Sequence, residues 1–307
     1  MKNKALLAAL VSTVFAMRPS DAAAMIGALR ADFYAGNEAA KFTPAQDRKI
    51  AAAAGAVLLM PIMGYIAPRE DIWVRTFGGT GLDVFAKRFT DAVNNPDIKA
   101  IILEVDSPGG SVTGVAEMSA MIYAARGTKP IIAQVNALAA SAAYHIASAA
   151  DEIVVTPSGE VGSVGVYTLH EDISKYLEEM GVKETFIFAG KFKVEGNPYE
   201  PLTDEARAAM QEGVDRFYES FISDLAKNRG LKKSDVEKNF GQGRCFGPAD
   251  AISRGMADRQ DTLQGTLERF GVKLYSNNAA RKAAPVERMK REAEFLGLGS
   301  QVGAEST

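Results

Sequence analysis

One cysteine, two histidines and one tryptophan are spread over 307 residues. The lone Cys245 excludes an internal disulfide and any metal site built from several thiolates. His145 and His170 are too few for a zinc centre with several imidazole ligands. A Ser-His-Asp triad would have to use one of those two rings. An excess of either charge is missing as well. The chain has 35 basic and 38 acidic side chains, mixed along its length, for a formal net charge of -3. That leaves no clustered basic face, so no nucleic-acid partner is expected. No apolar run reaches the roughly 20 residues that a membrane-spanning helix needs. The nearest, Ala5 to Met17 behind Lys2 and Lys4, is interrupted by Ser12 and Thr13. With Ala22 to Ala24 after it, this stretch has the order of a weak export signal. Its alternative is a short helix, then a second one capped by Pro19-Ser20-Asp21 and carrying Met25, Ile26 and Leu29.

What is present is ordinary for a globular protein, with a hydrophobic fraction of 47% and a charged fraction of 24%. Residues 1–50 are Ala-rich and read as a helical N-terminal extension, with a polar linker around Lys41 to Lys49. From residue 51 the texture becomes that of an α/β core, in which short apolar runs alternate with amphipathic stretches. Strands are predicted at 57–62, 101–105, 130–135, 152–155, 162–167 and 185–188. Helices are predicted near 82–93, 115–125, 203–227, 233–239, 248–254 and 263–270. The almost wholly small or apolar stretch 137–150 predicts a helix buried on every side. The core ends near residue 275, and 276–307 is a charged, exposed tail with one amphipathic piece around 286–296.

Four segments carry residue types suited to chemistry. Asp106-Ser107-Pro108-Gly109-Gly110-Ser111 ends a predicted strand, and its glycines let main-chain N–H groups turn outward toward an anion. It could equally be a plain strand-to-helix turn. Ser141, in Ala139-Ala140-Ser141-Ala142-Ala143-Tyr144, sits where a strand hands over to a helix. A free N–H beside it and the positive end of the helix dipole would favour an anionic intermediate there, although serine is also a common helix cap. Gly190-Lys191-Phe192-Lys193 supplies two lysines, either of which could be a base if burial or hydrogen-bond donors lowered its pKa. The default for a loop lysine is a solvated charge. Gly162-Ser163-Val164-Gly165 offers one hydroxyl in a tight apolar strand.

In this order the four segments resemble the signal peptide peptidase A family of Ser/Lys serine peptidases, over about residues 55–275. Asn197-Pro198-Tyr199-Glu200-Pro201-Leu202 and Val14-Phe15-Ala16-Met17 are similar to the phage head-maturation branch. The resemblance implies a Clp-protease/crotonase-like fold and an endopeptidase without cofactor or metal. Ser141 would be the nucleophile and Lys193 the general base, with Lys191 the less favoured alternative. Ser163 would orient the lysine amine. Gly109 or Gly110 with the N–H of Ala142 would form the oxyanion hole. The chain departs from many relatives in having Ala142-Ala143 where they have two glycines, and it carries one copy of a domain that larger relatives repeat in tandem. The chain is therefore expected to act as a homo-oligomer or to complete its site alone, on peptide or protein substrates, phage capsid or scaffold proteins among them. The implied compartment is the cytoplasm, in a virion-assembly setting, with export by the weak signal as the alternative; signal peptide degradation is the other role the family suggests. His145, one turn past Ser141, is the rival base. Two rival functions are a crotonase-type acyl-CoA enzyme and a capsid-assembly scaffold with an inactive peptidase core.

Overall fold

A computed structural model describes residues 15–17, 20–24, 27, 46–52, 55–70, 74–75 and 78–272. The chain's centre is one mixed sheet. Its strands are β1 (Phe15–Met17), β2 (Arg48–Ala52), β3 (Gly55–Ala67), β4 (Gly79–Gly81), β5 (Ile98–Ser111), β6 (Ile131–Ala140), β7 (Glu152–Val155), β8 (Glu160–Gly162), β9 (Cys245–Phe246) and β10 (Arg259–Gln260). The backbone of the sheet runs β10-β7-β6-β5-β3-β2. From β10 to β3 every neighbour is parallel, and β2 closes the edge antiparallel to β3. Parallel neighbours need crossovers. Helices α1 (Leu82–Asn94), α2 (Val115–Ala125) and α3 (Ala142–Ala147) supply three of them. The α/β core expected from the alternation of runs is the one observed.

Alternation along the strands assigns side chains to two faces. Leu58, Met60 and Ile62 of β3, with Ile101, Leu103 and Val105 of β5, face a layer built from α1, α2, α3 and α5 (Asp204–Arg229). Phe85, Phe89, Ile122, Tyr144, Phe221 and Leu225 fill that layer. The intervening Val57, Leu59, Ala100 and Ile102 pack on the opposite face with Leu267 of α8 (Leu263–Glu268). Further helices, in chain order, are α4 (Ser174–Glu179), α6 (Lys233–Asn239) and α7 (Pro248–Ser253). Thr203 caps α5 as its sequence suggests, its hydroxyl accepting the Ala206 N–H at 3.2 Å.

Several elements differ from the sequence reading. The N-terminal stretch read as helical contributes two strands to the sheet, β1 and β2, while residues 20–24 are helical. Strand β5 does not stop at Asp106 but continues to Ser111, because Gly109 and Gly110 still pair with Tyr65 and Ile66 of β3. Residues 185–188 form no strand; Ile187 is 98% exposed, and no strand among the described residues pairs with the segment. Strand β8 covers only the start of the stretch expected at 162–167. Helix α3 is shorter than the stretch 137–150, and all six of its residues are buried. The tail 276–307 and its amphipathic piece lie outside the described residues.

Candidate active site

Ser141 is the single residue between β6 and α3, and it is fully buried. Its φ of 55° and ψ of −117° place an L-residue in a region that normally belongs to glycine. The corner is held from both sides. The Ser141 N–H donates to Gly162 O at 2.7 Å, and Ser141 O accepts from the His145 N–H at 2.9 Å. The side chain is directed to the segment after β8, with Oγ 3.4 Å from Gly165 O. A sharp strand-to-helix corner of this kind lifts a side chain clear of the main chain and leaves the next N–H, here that of Ala142, at the start of a helix.

The glycine turn lies beside this corner. Ser107 pairs with Ala139, so the end of β5 runs against the end of β6. Gly109 has a φ of 101°, and a Cβ there would collide with Ala16 O and come within 3.0 Å of Ala140 O, next to the serine. Only glycine lets the main chain approach so closely. The Gly109 N–H is engaged by Ser107 Oγ at 3.1 Å, and that hydroxyl in turn donates to Gly64 O at 2.6 Å. Gly110 is flanked by β3 on one side and β1 on the other. Ser163 is buried with a φ of 54°, and its N–H donates to Arg244 O at 2.8 Å. It follows directly on Gly162, which holds the Ser141 N–H.

The lysine segment is elsewhere. Lys193 is exposed, in a turn where its N–H donates to Gly190 O at 3.0 Å. Lys191 is paired with Glu205 at 2.8 Å and lies over the Phe192 ring. The structure thus brings together Ser141, Ala142, Gly109, Gly110 and Ser163, and leaves both lysines at the surface. The surrounding segment exposes Phe186, Ile187, Phe188 and Phe192. His145 turns away from the serine hydroxyl. Its Nε2 is 2.9 Å from Asp224 Oδ2, and its ring stacks on Phe221 with centroids 4.5 Å apart, both on α5.

Sequence reasoning missed the residues that fix the serine's helix from below. The Arg126 guanidinium donates to Ala149 O at 2.8 Å, Ser148 O at 3.0 Å, Ala150 O at 2.6 Å and Asn228 O at 3.1 Å. Asn228, buried on α5, donates to Ser119 Oγ at 3.0 Å and Ser148 Oγ at 2.9 Å. A cation over the last carbonyls of a helix satisfies orphan acceptors and complements the dipole. No local pattern signals that residues 126, 148–150 and 228 meet.

Residues 124–273 match the family described as Peptidase family S49, and residues 72–175 match NfeD1b, N-terminal domain. Capsid assembly protease C of Escherichia phage lambda is 31% identical over 238 residues, covering 78% of this chain and 53% of that protein. Head-tail preconnector protein GP5 of Enterobacteria phage P21 is 31% identical over 222 residues, covering 72% and 44%. Protease 4 of Salmonella typhi is 31% identical over 184 residues, covering 60% and 29%. The chain spans about half the length of the two phage relatives. Among solved structures, the 1510-N membrane-bound stomatin-specific protease superposes with a TM-score of 0.45 at 17% identity, covering 71% of this chain and 84% of that one. ClpP1 of Listeria monocytogenes superposes at 0.41 and 12% identity, covering 67% and 94%. The serine corner and Ser163 both fall within residues 124–273, and this chain belongs to peptidase family S49.

Proposed function

We propose that this chain is a serine endopeptidase in which Ser141 attacks a peptide carbonyl and Lys193 is the general base. The observation that carries the reading is the strained corner at Ser141, where an L-residue is held at φ 55° and ψ −117°, backbone strain of the kind that clusters at active sites. Strain of this kind persists where a side chain must be held out for reaction. The N–H of Ala142 and a donor from Gly109 or Gly110 would hold the oxyanion. For Gly109 this requires its N–H to exchange Ser107 Oγ for the oxyanion. The lysine would take the serine proton, pass it to the leaving amine, and water would release the acyl group. Ser163, adjoining the Gly162 carbonyl that anchors the serine, is suited to orient the amine.

A lysine must be desolvated to act as a base near neutral pH. Lys193 is exposed in the single chain, among exposed Phe186, Ile187, Phe188 and Phe192. Covering that apolar segment would dry the amine, which supports a homo-oligomer as the working form. The names of the phage relatives support capsid or scaffold proteins as substrates in head maturation, with signal peptide fragments as the alternative. Among the described residues no helix is long and apolar enough to cross a membrane.

The reading to be displaced is a capsid-assembly scaffold with an inactive core, and the exposure of Lys193 is the observation that favours it. Hydrolysis of a broad peptide library by wild type, Ser141→Ala and Lys193→Ala decides between them. Cleavage by wild type and loss in both folded variants is expected. No cleavage by wild type at any concentration moves the scaffold reading to the front.

A further inference from the structure

Strand β1 is three residues long, yet Phe15, Ala16 and Met17 are all buried. It lies antiparallel to the end of β5, with Met17 opposite Gly109, Ala16 opposite Gly110 and Phe15 opposite Ser111. On its other side the Phe15 N–H donates to Tyr167 O at 2.9 Å, and the Tyr167 N–H donates to Phe15 O at 3.0 Å. Phe15 thus gives both main-chain groups to Tyr167, so by the alternation of an antiparallel strand those of Ala16 face β5. The segment is held between the glycine turn and the loop that follows Ser163. Those are the two walls that flank the serine corner. The point where a Cβ on Gly109 would clash with Ala16 O is also 3.0 Å from Ala140 O.

We propose that residues 15–17 are a built-in occupant of the peptide-binding groove, lying where an extended substrate would add as a strand. The proposal rests on the peptidase reading and goes beyond it by naming what fills and closes the site. Main-chain pairing on both edges is how an extended peptide is gripped, with side-chain pockets setting preference. The pockets here are legible. The Phe15 ring stacks on Tyr167 with centroids 5.7 Å apart, and Phe15 and Met17 share an apolar cluster with Tyr65, Ala67 and Val74. Ala16 points the other way, into the main core beneath the glycine turn. The groove therefore suits an extended segment with a small residue between two large apolar ones.

A second observation points to a ligand other than β1. The Tyr167 hydroxyl is buried with no hydrogen-bond partner among the described residues while β1 is in place. A peptide with a polar atom at that point would satisfy a group that Phe-Ala-Met leaves unmet. Because β1 belongs to the same chain, it competes at an effective concentration in the millimolar range, and free peptides bind only to the fraction of molecules it has vacated.

The test uses the full chain. In the Ser141→Ala variant, which cannot turn over, amide exchange at residues 15–17 is followed while acetyl-Phe-Ala-Met-amide is added to about 10 mM, above that effective concentration. Faster exchange at 15–17 with saturation is expected; unchanged exchange overturns the proposal. In the Phe15→Ala variant, hydrolysis of a fluorogenic peptide should rise at least about 10-fold in kcat/KM as the occupied fraction falls. Equal or lower kcat/KM with an intact melting transition would make β1 part of the working site and sink the idea. If Phe15→Ala does not fold, the exchange experiment stands alone. Failure of the peptidase reading looks different: a serine-directed fluorophosphonate would then leave Ser141 unlabelled in wild type and Phe15→Ala alike, whatever exchange at 15–17 does.

Discussion

Replacing Arg126 by methionine should destabilise the protein by several kcal/mol, about 3–5 from the bonds it makes. The side chain lies over the Tyr123 ring, 4.5 Å from its centroid, and spends Nε and Nη2 on four carbonyls. Three of these belong to residues 148–150, at the end of the helix that Ser141 begins, and the fourth to Asn228 on α5. Methionine keeps the length of the stem and removes every donor. A hydrogen bond from a charged group contributes about 1.5–3 kcal/mol, and a buried acceptor left unmet costs about 1–3 kcal/mol. Nη2 serves three acceptors with two hydrogens, so its bonds are shared and the four do not add in full. A loss of about 3–5 kcal/mol follows, which for a domain of this size is a fall in Tm of roughly 6–20 °C. Differential scanning calorimetry of Arg126→Met and Arg126→Lys reads it. Lysine, with one ammonium in place of the fork, should recover only part of the loss. A Tm for Arg126→Met within about 2 °C of wild type would refute the reasoning, and with it the claim that this guanidinium anchors the serine's helix.

Three further outcomes are expected. Ser141→Gly should be more stable than Ser141→Ala by about 1 kcal/mol in urea unfolding, because strain of about 1–3 kcal/mol at φ 55° is relieved against about 0.5–1 kcal/mol of glycine entropy; a glycine variant less stable than the alanine one by that entropy cost would mean the corner is unstrained. His145→Gln should keep peptide hydrolysis within about 10-fold of wild type, since loss of a general base costs about 10²–10⁴ and the ring is committed to Asp224 and Phe221. Burial alone would raise the Asp258 carboxyl, but its two bonds from Arg229 and the Ile153 N–H hold it below the ordinary range. A depressed carboxylate stabilises the fold above its unfolded pKa of about 3.9 and loses that contribution as pH falls through the folded value. The Tm gap between wild type and Asp258→Asn should therefore be full at pH 7 and close below about pH 4; a gap that persists there would contradict the linkage.

How far the sequence could be read depends on where each segment finds its partners. The runs at 57–62, 101–105 and 152–155 are strands because the parallel centre buries both faces, and such strands show as continuous apolar stretches. Ser141 was recognisable because an apolar strand gives way to small helical residues at that point. The turn signal of Pro108-Gly109-Gly110 misled, since pairing with β3 and β1 carries the strand through it. Thr185-Phe186-Ile187-Phe188 has every local preference for a strand but pairs with no strand among the described residues. Strand β1 was hidden for the opposite reason: its Ala-rich surroundings favour helix, and only the groove between Gly109–Ser111 and Tyr167 makes it extended. The link between Arg126 and the end of α3 spans too much sequence for any local pattern to carry.

In the proposed mechanism Ser141 is a nucleophile activated by Lys193. A peptidyl fluorophosphonate, with the adduct mapped by mass spectrometry and its rate of formation followed, tests this most directly. One adduct per chain on Ser141 is predicted, absent in Ser141→Ala and formed about 10²–10⁴-fold more slowly in a folded Lys193→Ala, the range expected for loss of a general base. An adduct on another residue, or an unchanged rate in Lys193→Ala, would contradict it.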